Sequence, residues 1–422
     1  MAGKKKRSVS VSAHGVSRKP RKPLDHEASG GKHSEWERAF WRYSAVLSVM
    51  GVLYFVYNNH PYYLRPQFNP AGAVGWRQFY NFGFALWFFL GLPYVIVTRR
   101  RFGGVRMDLT DGAVHYLLLF RGVFYWIFEG CRWPRHIWSN RRMRITVLSL
   151  GVKAFFTPLM TIFMAEHAVR IKDMWFRNKG VALPTNDLLA SLNAGGVDAW
   201  LNYLKETVPQ LLPTFQGFLQ SINVLGWSRR DFDWHTDFYY QLLFFVDCIW
   251  ALTGYAAESR WLGNKTKSVE PTGFGWMVAL MCYPPFNDVS GTYFPLGRNA
   301  GWQIITDPYV LGVFKILTLA AFTIYVWATL AFGPTFSNLT NRGIITRGPY
   351  AWIRHPAYAC KNFAWWMEYL PYCAGGHNLL PLIIWNIIYG LRGWTEERHL
   401  SRDPAYREYK KKVRWAAIPG IF

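Results

Sequence analysis

Charge is scarce in this chain. Lys, Arg, Asp and Glu make up 17% of its 422 residues, against roughly 25% in ordinary soluble domains, and the shortfall points to a lipid solvent. Acidic residues are the scarcer kind, 25 against 48 basic ones, for a formal net charge of +23. An excess of that size raises nucleic acid as a partner, but its placement argues against one. Lys and Arg gather beside apolar stretches, at Arg99 to Arg101, at Arg141, Arg142 and Arg144, at Arg342, Arg347 and Arg354, and at Lys410 to Lys412. The positive-inside rule and anionic headgroups ask for that pattern. Cysteine is sparse too: Cys131, Cys248, Cys282, Cys360 and Cys373 show no CxxC spacing, so neither a disulfide framework nor a zinc site is indicated. A short apolar leader behind a charged start is missing as well, which argues against a cleavable signal peptide.

What the chain has in abundance is aromatic residues, at 18%. A mean hydropathy near zero averages strongly apolar blocks with strongly basic connectors, and the blocks decide the class. The fold expected is an all-α, polytopic integral membrane protein of about eight to ten helices. Spans are expected at about 41–58, 79–98, 145–165, 236–256, 272–286, 308–332, 359–374 and 378–393. Two stretches of mixed polar and aromatic residues, 112–130 and 209–226, suit either an interfacial helix or a span. The segment 180–208 reads as an extramembrane loop with a short amphipathic helix. Residues 1–34 are rich in Lys, Arg, Ser, Gly and Pro and cannot offset ordering entropy, so a disordered basic tail is expected there. Three regions follow: that tail, a membrane region over 35–307 with a possible substrate cavity, and a C-terminal membrane region over 308–422.

Basic flanks on both sides of the first and last pairs of spans predict cytoplasmic N- and C-termini. The final pair becomes a hairpin about the uncharged turn Ala374 to Asn378, followed by a basic tail. The membrane would be the inner one in a bacterium and the endoplasmic reticulum in a eukaryote.

Chemistry concentrates in SNLTNRGIITRGPYAWIRHPAYACKNFAWWMEYLP and, after the hairpin turn, WTEERHLSRDPAYREYKKKVRWAAIPGIF. Gly348-Pro349 and His355-Pro356 force turns before a helix, because a residue preceding proline is pushed out of the helical region. A loop with free backbone N–H groups would then precede Ala357, and such a helix start accepts an anion.

The elements GPY at 348–350, RHPAY at 354–358, EERHL at 396–400 and PAYREYKKKV at 404–413 resemble the isoprenylcysteine carboxyl methyltransferase group and its phospholipid methyltransferase relatives. The resemblance spans about the last eighty residues. It implies an S-adenosylmethionine pocket at the cytoplasmic membrane face, closed by the final hairpin and the basic tail. The residue types agree with that cofactor. Glu396 and Glu397 offer acceptors for its ammonium or ribose, Arg354 or the helix start a partner for its carboxylate, and Tyr350, Trp352 and Tyr358 flat faces. His355 would hydrogen-bond the cofactor or orient the acceptor, and Pro356 and Tyr409 complete the expected cofactor set. The competing reading of Glu396 and Glu397 is a solvated helix face paired with Arg392, Lys410 or Arg398, and that of Tyr406 and Tyr409 is packing.

After RHPAY the chain runs Cys360-Lys361-Asn362, where the related enzymes continue with a small residue and aliphatics. Lys361 and Glu368 share a helix face seven residues apart, and at that depth they must face a cavity or each other. Together with Arg354 and His355 they are the candidate catalytic residues. The acceptor is accordingly read as a polar or charged lipid headgroup rather than a prenylcysteine. Glu258, Asn362 and the break at Pro284-Pro285 are the candidate substrate residues, since broken backbone at membrane depth is tolerated where it lines a cavity. No metal site is assigned: Asp231, Asp233, His235 and Asp237 precede an apolar run and read as helix-capping residues. The expected partners are the bilayer and a lipidic substrate. A weaker resemblance to membrane sterol reductases, through the RHP element and the Pro-Gly-Ile-aromatic end, implies NADPH instead. A cofactor-free transporter built on Lys361, Glu368 and the broken helix is the third reading.

Overall fold

A computed structural model of the chain describes residues 35–68, 75–101, 108–128, 140–178, 205, 228–256, 258 and 263–420. The expected basic tail, the 209–226 stretch and, Lys205 apart, the 180–208 segment lie outside the described residues, as does Cys131. Among the described residues, eleven α-helices of eight residues or more carry the fold: α1 Glu35–Asn59, α2 Trp76–Arg101, α3 Asp108–Phe128, α4 Arg141–Asn178, α5 Arg229–Ala256, α6 Gly273–Leu280, α7 Phe286–Tyr293, α8 Pro308–Phe332, α9 Pro356–Tyr369, α10 Leu379–Leu400 and α11 Pro404–Lys412. Two two-residue strands, β1 Ser268–Val269 and β2 Thr340–Asn341, pair antiparallel with Ser268 opposite Asn341.

Among the described residues, four helices are long and apolar enough to cross a membrane, over Ala39–Asn59, Trp76–Val97, Met143–Trp175 and Pro308–Thr335. The apolar faces of α1 and α2 point outward, with Phe55, Phe82 and Phe89 exposed. Only 11% of the Trp76–Val97 window is buried, as a lipid-facing helix requires. Apolar surface gains little by leaving lipid for protein, so packing and hydrogen bonds must hold such helices together. Tyrosine hydroxyls supply several of these bonds. Tyr43 donates to the Phe88 carbonyl (2.8 Å) and Tyr80 to Met50 (2.8 Å), tying α1 to α2. Tyr57 reaches the Ala154 carbonyl on α4 (2.9 Å), and Tyr116 ties α3 to Val147 (2.8 Å). Each contributes about 0.6 kcal/mol on the scale measured between membrane helices.

The expected span at 272–286 takes a different form. Thr272 caps α6 by accepting from the Gly275 N–H, and the helix ends at Leu280, ahead of the prolines, with α7 beginning at Phe286. Eight residues reach about 12 Å at 1.5 Å each, well short of a hydrocarbon core about 30 Å thick. The break was legible in Tyr283-Pro284-Pro285; the separation into two short helices follows because proline lacks the N–H that would continue the ladder.

Helix starts elsewhere follow capping chemistry. Asp307 accepts from the N–H groups of Tyr309 and Val310 ahead of Pro308, and Asp403 accepts from Ala405 ahead of Pro404. Ser228 and Asp231 cap α5 reciprocally, while Asp233 and Asp237 flank Lys315 of α8 at 3.1 and 2.9 Å. Helices α4 and α5 pack together, α8 lies on α5 and α9, and α10 touches α6 and α9. Phe322, Val326 and Ala364 fill the α5–α8–α9 seam. Tyr350, Tyr406, Tyr409 and Val413 dock α11 and the chain after it against α8.

Candidate active site

The 340–360 segment, α6, α8 and α10 surround a cavity of about 970 Å³ of non-protein space, its mouth included. A second space of about 520 Å³ adjoins it, sharing Tyr350, Arg354, His355 and Glu396 as walls.

GPY forms a 3-10 turn over Gly348–Ala351 that buries Tyr350. His355 then ends the loop and Pro356 opens α9, as a fixed φ at the first helical position favours. One turn on, Tyr358 donates its hydroxyl proton to Glu396 Oε2 at 2.6 Å and stacks on His355 with ring centres 5.5 Å apart. Glu396 comes from the last turns of α10, so this bond joins the two motif halves across the cavity. Arg392, one turn earlier on α10, lies 4.9 Å from the Tyr358 ring centre, 5.5 Å from Tyr283 and 5.7 Å from Tyr389. Its Nη2 donates to Asn338 Oδ1 at 2.5 Å. Among the described residues, this arginine, 7% exposed, is held by ring quadrupoles and one amide rather than by a carboxylate.

Deeper along α9, Lys361 also lines the cavity. Its ammonium sits 5.4 Å from the Tyr325 ring, 5.4 Å from Trp365 and 5.8 Å from Tyr389. The Tyr325 hydroxyl donates to Asp247 Oδ2 at 2.8 Å, and the other oxygen of that buried carboxylate has no partner among the described residues. At the opposite wall, the 2%-exposed Glu270 accepts from Thr272 N–H and Arg398 Nη2 with Oε1, while its Oε2 has no hydrogen-bond partner among the described residues. Nearby, His399 exchanges a hydrogen bond with Ser268 at 2.9 Å. Burial pushes the His399 imidazole below its ordinary value, although Glu270 pulls the other way.

Of the sequence-nominated residues, Tyr350, Arg354, His355, Tyr358, Lys361 and Glu396 converge on this cavity. Others do not. Glu397 accepts from Arg354 Nε at 2.6 Å and from Lys410 at 2.7 Å, with His355 Nε2 at 3.3 Å but misaligned for a hydrogen bond. Burial would raise that carboxyl, but His355, Arg354 and Lys410 outweigh it and hold it well below the carboxylate range. Glu368 pairs with Arg298 rather than with Lys361. Glu258 is bound by Lys153 at 2.5 Å and Arg342 at 3.5 Å, and accepts from the Thr266 N–H, which makes it a tie between α4 and the β ladder. The carbonyl of Pro284 accepts from Tyr62 (2.8 Å), and Pro284, Pro285, Pro356 and Asn362 stand outside the lining of both spaces. Tyr409 lines the smaller space, with its hydroxyl spent on the Tyr350 carbonyl at 2.7 Å.

The helix start at Pro356 is a correction. The N–H groups of Arg354 and His355 are not free, because they donate to the carbonyls of Trp415 (3.0 Å) and Ala416 (2.8 Å). Arg354 Nη1 also donates to the carbonyls of Val413 and Arg414. The chain after α11 has thus taken the two donors of the loop before Pro356.

Sequence reasoning missed Asp247, Glu270, Asn338 and Tyr325, and saw Arg392 only as an ion-pair partner. Asp247 carried a signal, a lone acid in the apolar run Leu242 to Leu252. Asn338 carried none. No protein-family model, curated protein or solved structure matches the chain.

Proposed function

We propose that the chain is an integral membrane methyltransferase that binds S-adenosylmethionine in the larger cavity and methylates a membrane-embedded lipid or lipid-linked acceptor at the cytoplasmic face. The observation that carries this reading is the convergence of Tyr350, Arg354, His355, Tyr358 and Glu396, from motif elements some forty residues apart, on one cavity. Their chemistry fits the cofactor. Glu396 presents a carboxylate to a cation, Tyr350 and Tyr358 present rings to an adenine or a sulfonium, and Glu270 Oε2 and Thr340 Oγ1 are buried polar atoms without hydrogen-bond partners among the described residues.

Bound there, S-adenosylmethionine supplies an electrophilic methyl group. The protein aligns the acceptor with it and keeps water out, effects that reach about 7–11 kcal/mol when geometry is right. Lys361, which makes no direct ion pair among the described residues but feels the Asp247 carboxylate through space, holds the polar end of the acceptor, and Asp247 acting through Tyr325 steadies the ring beside it.

Calorimetry of the purified protein with S-adenosylmethionine and, separately, NADPH tests the reading. Binding of the first and a loss of about tenfold or more in Glu396→Gln are expected, since a charge-assisted hydrogen bond contributes roughly 1.5–3 kcal/mol. Binding of NADPH alone would replace the reading with a reductase, and binding of neither would leave a cofactor-free transporter.

A further inference from the structure

A third space lies apart from the two described, between the first turn of α4, the β ladder and the junction of α10 with α11, and encloses about 1020 Å³ with its mouth. Four cations line it: Arg141 and Arg144 from α4, Lys267 just before β1, and Arg402 just after α10. None of the four makes an ion pair among the described residues. The one acid in the lining, Asp403, spends Oδ2 on Asn341 at 2.8 Å and Oδ1 on the Ala405 N–H at 3.0 Å. Four positive charges therefore converge on a recess whose one carboxylate, Asp403, acts on Lys267 through space, which leaves the recess with an excess of positive charge.

The other wall is apolar, with Ile145 and Leu148 continuing up α4 from the arginines. That helix becomes apolar enough to cross a membrane from Met143, so the cations stand where hydrocarbon gives way to headgroups.

We propose that this recess is a binding site for a phosphate-bearing amphiphile, the phosphate among Arg141, Arg144, Lys267 and Arg402 and the apolar portion along Ile145 and Leu148. Guanidinium groups suit phosphate because their paired N–H donors match its oxygens. The depth of the site favours a membrane phospholipid over a soluble organic phosphate. The proposal does not depend on the methyl-transfer reading, because its residues are separate from the cavity-lining motif apart from His399, which stands between the two spaces.

The test uses the full chain. It is reconstituted in nanodiscs of phosphatidylcholine containing a minor fraction of phosphatidate, and the lipid retained after re-extraction is measured by mass spectrometry. Inorganic pyrophosphate is titrated separately against the detergent-purified protein. Retained phosphatidate is expected to fall at least tenfold in Arg144→Gln/Arg402→Gln, given about fivefold per basic residue near a charged surface. Arg144→Lys/Arg402→Lys should keep most of it, which separates lost charge from lost folding. Lys411→Gln/Lys412→Gln, at exposed positions outside the recess, should change nothing. Pyrophosphate binding without phosphatidate retention would keep the site and assign it to a soluble phosphate. Equal losses in the 411/412 control would reduce the effect to general surface charge and overturn the proposal, as would neither probe binding.

Discussion

Replacing Glu397 by Gln removes the charge on which Arg354 and Lys410 converge, and the structure allows the consequence to be sized. The Arg354 and Glu397 side chains are 9% and 16% exposed, and removing one partner of a buried pair costs about 3–5 kcal/mol. Arg354 keeps the carbonyls of Val413 and Arg414, and the Gln amide oxygen still accepts one bond, which lowers the figure. Lys410, 39% exposed, adds no more than about 1 kcal/mol. A loss of about 2–3 kcal/mol follows, concentrated where residues 413–416 lie against the loop before α9. With tenfold for each 1.4 kcal/mol, hydrogen exchange at the Arg354 and His355 amides should accelerate roughly 30- to 150-fold.

Acid should mimic the substitution. The Glu397 carboxyl is held below its ordinary value of 4.5, so its contribution is complete above that pH. As pH falls below it the unfolded chain takes up the proton first, and the contribution shrinks until the folded carboxyl is protonated too. Exchange at these two amides should therefore rise as pH drops below about 4.5 after correction for the intrinsic rate, and Glu397→Gln should abolish the dependence. Glu396→Gln, one residue away, should leave both amides protected while weakening S-adenosylmethionine. Unchanged protection in Glu397→Gln with lost cofactor affinity would refute the assignment of the two acids.

Lys361→Met should leave cofactor affinity nearly intact while lowering turnover at least tenfold, measured beside the melting temperature; a destabilised protein that has lost both would sink the acceptor role. Glu258→Gln should destabilise the protein by about 2–3 kcal/mol in denaturant titrations, because it removes the carboxylate charge shared by Lys153 and the 1%-exposed Arg342, which keeps only the Gly254 carbonyl and the Thr266 hydroxyl. A stable Glu258→Gln with altered acceptor selectivity would return Glu258 to the substrate site. Both termini are expected in the cytoplasm; labelling of a cysteine placed at position 10 or 420 by an impermeant reagent in intact cells would contradict it.

Hydropathy by itself located α2 and α8 to within about three residues and the apolar middles of α1, α4 and α5, because long apolar runs leave the backbone few alternatives to a helix, but it missed the polar ends, so that α4 runs on to Asn178 past the expected 165 and α5 begins at Arg229 ahead of the expected 236. It also located the break near Pro284, the turns at Gly348 and His355, and the motif residues that face one another across the cavity. Which neighbour meets which wall was beyond it. Glu396 and Glu397 are equivalent as letters, yet successive residues on a helix point about 100° apart, and only the packing of α10 against α6 and α9 decides which of them meets Tyr358. Lys361 and Glu368 share a face by period alone, but Arg298, seventy residues away in the chain, holds Glu368, and three rings from three different helices surround Lys361. The N–H groups before Pro356 read as free donors until residues 413–416 were seen to occupy them. Local rules of period, capping and proline geometry settle the elements. The partners of charged groups are settled by contacts between segments far apart in sequence, because a charge out of water must be met by whatever the fold brings to it.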